Sequence, residues 1–139
     1  MAVTTDKLSN VKSQDAVLQA FPVAASETIY AGTFCVINAA GYLQNATAAT
    51  IAAGKMVVIA AESYVESTGV AGVISASGEG SRVCKCYVGG IFKLDCFTSI
   101  TQAQVGKAMY LSDNFTLDET QLSGIKAGTL VNYYSATGG

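Results

Sequence analysis

The chain has 139 residues, of which 13% are charged, with a net charge of −2, a single Pro and neither His nor Trp. Domains run roughly 100–150 residues, so the length suits one domain with a sizeable core, and the lack of His removes imidazole ligands, imidazole bases and every triad built on one. Eight basic residues against ten acidic ones leave no cationic stripe to displace counterions from a polyphosphate, which argues against nucleic acid as a partner.

Residues 1–15 are polar, lack aromatics and show no sustained period, and read as a flexible arm that orders only on a partner. They also lack the basic and apolar blocks of a secretory signal, so the protein is expected to stay where it is made. Beyond the arm, short apolar runs are punctuated by Gly, Asn and Ser at intervals of roughly 8–12 residues, the signature of an all-β sandwich or barrel. The predicted fold is a small β-barrel or β-sandwich-like single domain over residues 16–134, with one short helical turn and a flexible tail at 135–139.

Residues 16–23 and 33–38 are the first predicted strands, with Phe34 and Val36 on one face and Cys35 and Ile37 on the other. Asn38-Ala39-Ala40-Gly41 before Tyr42-Leu43-Gln44 predicts a tight hairpin with Gly41 at positive φ. The Ala- and Thr-rich residues 45–54 are assigned to a loop, because Thr opposes the helix that Ala favours. Residues 55–62 read as a strand apolar on both faces, continued by Tyr64 and Val65, and another strand is centred on Val73-Ile74. Met56-Val57-Val58-Ile59-Ala60-Ala61 is the longest strongly apolar run, far short of the roughly 20 residues of a membrane helix, and no membrane partner is expected.

Ser77-Gly78-Glu79-Gly80-Ser81 marks a turn, followed by strands at 82–88 and 91–96 that are expected to pair across Gly89-Gly90. Thr101-Gln102-Ala103-Gln104 fits a capping box opening one helical turn. Residues 108–111 and 115–117 flank Ser112-Asp113-Asn114 as a hairpin, and 125–134 form a last strand interrupted at Ala127-Gly128.

The motifs that carry chemistry elsewhere are incomplete here. Ser9-Asn10-Val11-Lys12 has the S-x-x-K spacing of a Lys-activated Ser, but it sits in the polar arm without partner motifs. Gly78-Glu79-Gly80 is too short for a dinucleotide fingerprint, and Asp113-Asn114 with Asp118-Glu119 lacks the spaced ligands of a calcium loop. Cys84-Lys85-Cys86 has the wrong spacing for a zinc knuckle; on a strand both thiols would face the core with Lys85 outward, and the four cysteines are expected to be reduced. No catalytic residue, cofactor or metal is assigned. Tyr133-Tyr134 stands out, since adjacent strand residues face opposite ways and one ring should be exposed or touch another subunit.

Residues 20–44, AFPVAASETIYAGTFCVINAAGYLQ, run from an apolar strand through a small-polar stretch to I-Y-A-G, a β run and A-A-G-Y. Val70-Ala71-Gly72-Val73, the stretch 88–95, Ile100-Thr101, Val105-Gly106-Lys107 and Tyr110-Leu111-Ser112-Asp113 follow in order. Over residues 18–134 this pattern resembles tailed-bacteriophage capsid decoration (cement) proteins of the small β-domain type. Four cysteines and the Tyr-Tyr pair depart from that pattern, which bears on the subunit contacts more than on the fold.

The resemblance implies a non-enzymatic structural protein of the virion, on the capsid exterior. There it would bind the major capsid protein, bridge neighbouring capsomers and self-associate as a homotrimer. The low charge agrees, because a footprint repeated over a shell gains by avidity and needs no pocket. The candidate capsid-binding arm residues are Thr4, Lys7, Leu8, Val11 and Lys12, and the candidate subunit contacts are Phe97, Tyr133 and Tyr134. The competing readings are another virion subunit, such as a head-fibre base, collar or tail-tube protein, and a small β-barrel that binds a ligand or glycan.

Overall fold

The computed structural model describes residues 2–7, 12–62, 73–120 and 125–139. The chain is an all-β single domain. Its strands are β1 (Lys12–Pro22), β2 (Thr28–Tyr30), β3 (Phe34–Ile37), β4 (Leu43–Asn45), β5 (Met56–Ala60), β6 (Val73–Ser75), β7 (Val83–Lys93), β8 (Ala108–Asp113), β9 (Thr116–Asp118) and β10 (Ile125–Thr129). Among the described residues a short helix, α1 (Ala48–Ala53), and a 3-10 turn at Gln102–Gln104 complete the elements.

The strands form a five-stranded antiparallel sheet in the order β1-β7-β5-β3-β4, a three-stranded sheet β10-β8-β9 and a ribbon β2-β6. Alternation along β3 decides how these layers stack. Phe34 and Val36 face Met109, Leu111 and Leu117 of the three-stranded sheet, while Cys35 and Ile37 face Ile29 and Ile74 of the β2-β6 ribbon. The middle of the large sheet is therefore buried on both faces, which explains why β5 is apolar on both. One parallel bridge between Val23 and Leu43 draws the two edges together, but the sheet does not close into a barrel.

The β3–β4 hairpin has Gly41 at φ +92°, and Asn38 Oδ1 accepts from the amides of Ala40 and Tyr42, as its turn chemistry predicts. The Thr101 and Gln104 box opens the 3-10 turn. Cys84 and Cys86 are buried while Lys85 is exposed.

Five expectations are corrected. Residues 48–53 form a helix, because Thr47 and Thr50 cap it reciprocally instead of opposing it from within: each backbone amide finds the other's hydroxyl, at 2.8 and 3.3 Å. Gly89-Gly90 does not join two paired strands but lies inside the single strand β7. The last strand ends at Thr129, short of the tyrosines. Residues 135–139 are no free tail: Leu94 and Gly139 exchange backbone hydrogen bonds of 2.7 and 2.9 Å, and Phe97 and Ile100 donate to Thr137 and Ala136. The arm is divided, since β1 already begins at Lys12, and the backbone of Lys7 donates to Ala31 at 2.6 Å. Of the predicted elements, the continuation through Tyr64 and Val65 lies outside the described residues.

Candidate interaction surface

Among the described residues β1 is an edge strand, hydrogen-bonded to β7 on one side only. Its ladder runs from Lys12 opposite Lys93 to Pro22 opposite Val83, broken by two irregularities. Between Gln14 and Val17, Asp15 and Ala16 oppose the single residue Gly90, with Asp15 at φ +53° and Gly90 at φ +130°. Between Val17 and Leu18 the extra residue is Val88, on the partner strand. Each irregularity adds local twist and re-aims side chains. β5 pairs with β7 only at Tyr87 and Cys86, so β1 and the distal half of β7 extend as a two-stranded ribbon beyond the sheet.

The β1–β7 pair is apolar where it meets solvent, both in that ribbon and at the opposite end of β7, where Val83 lies. Val17, Leu18, Val83 and Ile91 are each 50–56% exposed. Val17 and Leu18 are adjacent, so they project from opposite faces of the strand. Isolated exposed apolar residues are ordinary, but a long edge strand that carries two of them, beside two more on its partner β7, is a template for association. Neither a Lys nor a Pro interrupts β1 between Gln14 and Phe21, so the edge is moderated there only by Asp15 and the two irregularities.

A groove of about 210 Å³ runs between this ribbon and β10, with Tyr87, Phe92, Phe97, Met109 and Leu130 in its lining and Ile91 and Val131 among its exposed members. Small-molecule sites usually enclose roughly 300–1,000 Å³ with convergent polar groups, so the groove suits an extension of the ribbon surface better than a ligand pocket. The Tyr87 and Phe92 rings pack along it in a tilted arrangement, 5.4 Å between centroids.

The sequence-predicted residues fall in two places. Tyr134 is 54% exposed and lies under the Lys93 ammonium, 4.3 Å from its ring centroid, while Tyr133 is half-buried against the core. Lys12, opposite Lys93, is at the same end of the ribbon. Thr4 is exposed, and Lys7 is half-buried with its ammonium 5.8 Å from the Phe115 ring centroid. Leu8 and Val11, like Ser9 of the S-x-x-K motif, lie outside the described residues. Phe97 is corrected: it is a core residue, only 8% exposed, packed with Leu94, Met109, Leu117 and Leu130 because the C-terminal residues cover it. Val17, Leu18, Val83 and Ile91 were not singled out from sequence, since nothing in a short apolar strand tells an edge position from a central one.

The four cysteines are free and buried. The Cys84 and Cys86 sulfurs lie 3.9 Å apart. Burial pushes the Cys35 thiol well up, with Cys84 adding to it, and pushes Cys96 up to about 12, aided by Asp95. The hydrogen bond with Cys84, followed by burial, raises Cys86. Protonated thiols of this kind are poor nucleophiles. Among the described residues no group of three or more His, Cys, Asp or Glu side chains is placed to hold a metal ion.

Glu27 is half-buried beside the same core, and burial raises its carboxyl above the ordinary range despite the hydrogen bond from the Asn45 amide at 3.2 Å. A carboxyl whose pKa is higher folded than unfolded makes the folded state bind the proton more tightly. Its unfavourable contribution is complete above the folded pKa and fades as pH falls through it. Glu27→Gln is therefore expected to raise the urea midpoint at neutral pH, with the gain over wild type shrinking toward acid; a gain independent of pH would contradict this.

Comparison with protein-family models, curated proteins and solved structures finds no match.

Proposed function

We propose that this chain is a structural protein of a tailed-phage virion, one that binds the outer surface of the assembled capsid and holds neighbouring capsomers together. The observation that carries the assembly role is the β1–β7 ribbon, an edge strand with apolar side chains exposed on both faces. The order of motifs through residues 18–134 carries the choice of a capsid shell and the self-association, as a trimer. The major capsid protein is the proposed partner, without catalysis or cofactor.

The energetics suit a repeated footprint. Fully burying a Val, Leu or Ile side chain gives about 1.5–3 kcal/mol, so covering the exposed half of each gives about 1 kcal/mol. Four such residues supply only a few kcal/mol per copy, and bridging two capsomers at once multiplies that by effective concentration. A protein that binds only the mature lattice stabilises it by mass action.

The test is co-sedimentation with expanded and unexpanded shells. Saturable binding to the expanded shell alone is expected, and binding to neither overturns the reading. Leu18→Asp is expected to weaken that binding by about tenfold or more, the loss of one desolvated anchor, while leaving the thermal midpoint within a few degrees of wild type. Undiminished binding would remove β1 from the contact.

A further inference from the structure

Among the described residues β5 and β7 pair at two positions, Ile59 with Tyr87 and Ala60 with Cys86, and beyond Tyr87 they part. The groove beside β10 opens in that gap, with Val57, Val58 and Ile59 on its β5 side and residues 88–92 on its β7 side. The Ala60 amide donates to Thr33 at 3.0 Å, toward β3, and the Ala61 amide donates to Lys85 at 2.8 Å, toward β7. Backbone groups alternate sides along a strand, and the register with β3 is unbroken from Ile59 to Met56. The N–H and C=O of Val57 therefore point away from β3, into the gap. Among the described residues no strand pairs with the groove side of β7 beyond Tyr87 either. Two strand edges thus open into one apolar cleft, and the group that matches open main-chain edges is another extended main chain.

The segment after β7 already accepts such an addition. Leu94 and Gly139 exchange both backbone hydrogen bonds, and both line the cleft. Charge sets a second requirement on the occupant. Lys55 stands just before β5, Lys85 and Lys93 are on β7, and Lys126 is on β10. All four are exposed, and none of these three strands carries a carboxylate. They are half of the eight basic residues in a chain whose overall balance is acidic. We propose that the β5–β7 cleft takes an extended, acidic segment of a partner polypeptide. Its main chain pairs with Val57 and with β7 beyond Tyr87, its apolar side chains enter the groove beside Ile91 and Val131, and its carboxylates meet the surrounding lysines. Main-chain pairing supplies affinity in such contacts, and the alternate side chains supply specificity. That the partner is a shell subunit rests on the function proposed above; the chemistry of the segment rests on the cleft.

The probes are a synthetic peptide, acetyl-Asp-Val-Thr-Val-Thr-Val-Asp-amide, and its counterpart with Lys in place of Asp, each titrated into the full-length protein and followed by amide NMR. The acidic peptide is expected to bind at least about fivefold more tightly at low salt, as exposed ion pairs allow, and to shift the amides of Val57, Val88 and Ile91. Equal binding of the two, shifts confined to other strands, or no binding by the acidic peptide overturns the proposal. Gly89 lines the cleft, and an added β-carbon there meets nothing within 4 Å, so Gly89→Leu fills the cleft from a permissive position. It is expected to weaken both peptide and shell binding by about tenfold or more. Should Gly89→Leu not fold by circular dichroism, Lys85→Glu combined with Lys93→Glu decides: an inverted preference between the peptides supports the proposal, and an unchanged one overturns it. Peptide binding at the cleft by a protein that binds no shell would keep the cleft and overturn the capsid reading. Shell binding undiminished by a folded Gly89→Leu would keep that reading and overturn the cleft.

Discussion

Replacing Phe97 with Ala is expected to lower stability by about 3–5 kcal/mol, the range for removing a buried aromatic ring, and to lower the thermal midpoint by about 10 °C for a domain of this size. Tyr134→Ala is expected to stay within about 1 kcal/mol, because a half-exposed ring over a single lysine contributes little more than a cation–π contact. The contrast follows from what covers each ring. Phe97 lies where the segment after β7 crosses the β8–β9 hairpin, bridged to Leu117, and the C-terminal residues close over it from outside. A β-carbon built on Gly139 would stand 3.1 Å from the Phe97 ring. Truncating the ring therefore opens a cavity and loosens residues 135–139 together. Urea midpoints at constant m-value measure the first effect, and amide exchange at Leu94, Phe97 and Ile100 measures the second. A loss no greater than that of Tyr134→Ala would mean that the C-terminal residues stand open in solution. Phe97→Asp is expected to prevent folding, since an unpaired carboxylate among Leu94, Met109 and Leu130 would consume a large share of the 5–15 kcal/mol typical of a domain.

Phe97 also shows where the sequence stops being informative. Alternation reports which residues share a strand face, and it placed Phe34 with Val36 and Cys84 with Cys86 correctly, because both faces of a central strand are set by neighbours in a regular sheet. The loop after β7 has no such period, and burial there is decided by residues 136–139, whose Ala, Thr and Gly content signals only flexibility. The same limit hid β2, three residues paired to β6 across about 45 positions, as between Thr28 and Ser75. α1 was obscured for a different reason: Thr has poor helix propensity but is a good cap, and only position separates the two. Neither the edge position of β1 nor the burial of Asn114 has a local signature. Whether β1 is an edge depends on the order of five strands, and whether Asn114 is solvated or buried depends on a segment more than a hundred residues away.

Gly90 links fold to surface, and Gly90→Ala is expected to cost about 2–4 kcal/mol, of which about 1–3 is backbone strain at a conformation L-residues rarely adopt. The rest is overlap. A β-carbon at Gly90 would lie 2.8 Å from the Ala16 Cα and 3.1 Å from the carbonyl oxygens of both Asp15 and Gln14, all main-chain atoms. No rotamer relieves such contacts, so β1 must move off β7 at the bulge that sets the aim of Val17. The neighbouring Gly89 makes the control: it has no positive φ and nothing within 4 Å of an added β-carbon. Gly89→Ala is expected to fall within about 1 kcal/mol of wild type on either side, since it also removes freedom from the unfolded chain. Because the core clusters are centred on β3, β5 and β8, the damage from Gly90→Ala should be local, with amide protection lost along β1 and retained at Val36, Val58 and Leu111. Shell binding should fall with the ribbon while most of the domain stays folded. Loss of protection throughout the domain would show instead that β1 is integral to the core, and full shell binding by Gly90→Ala would show that the ribbon is not the surface that meets the partner.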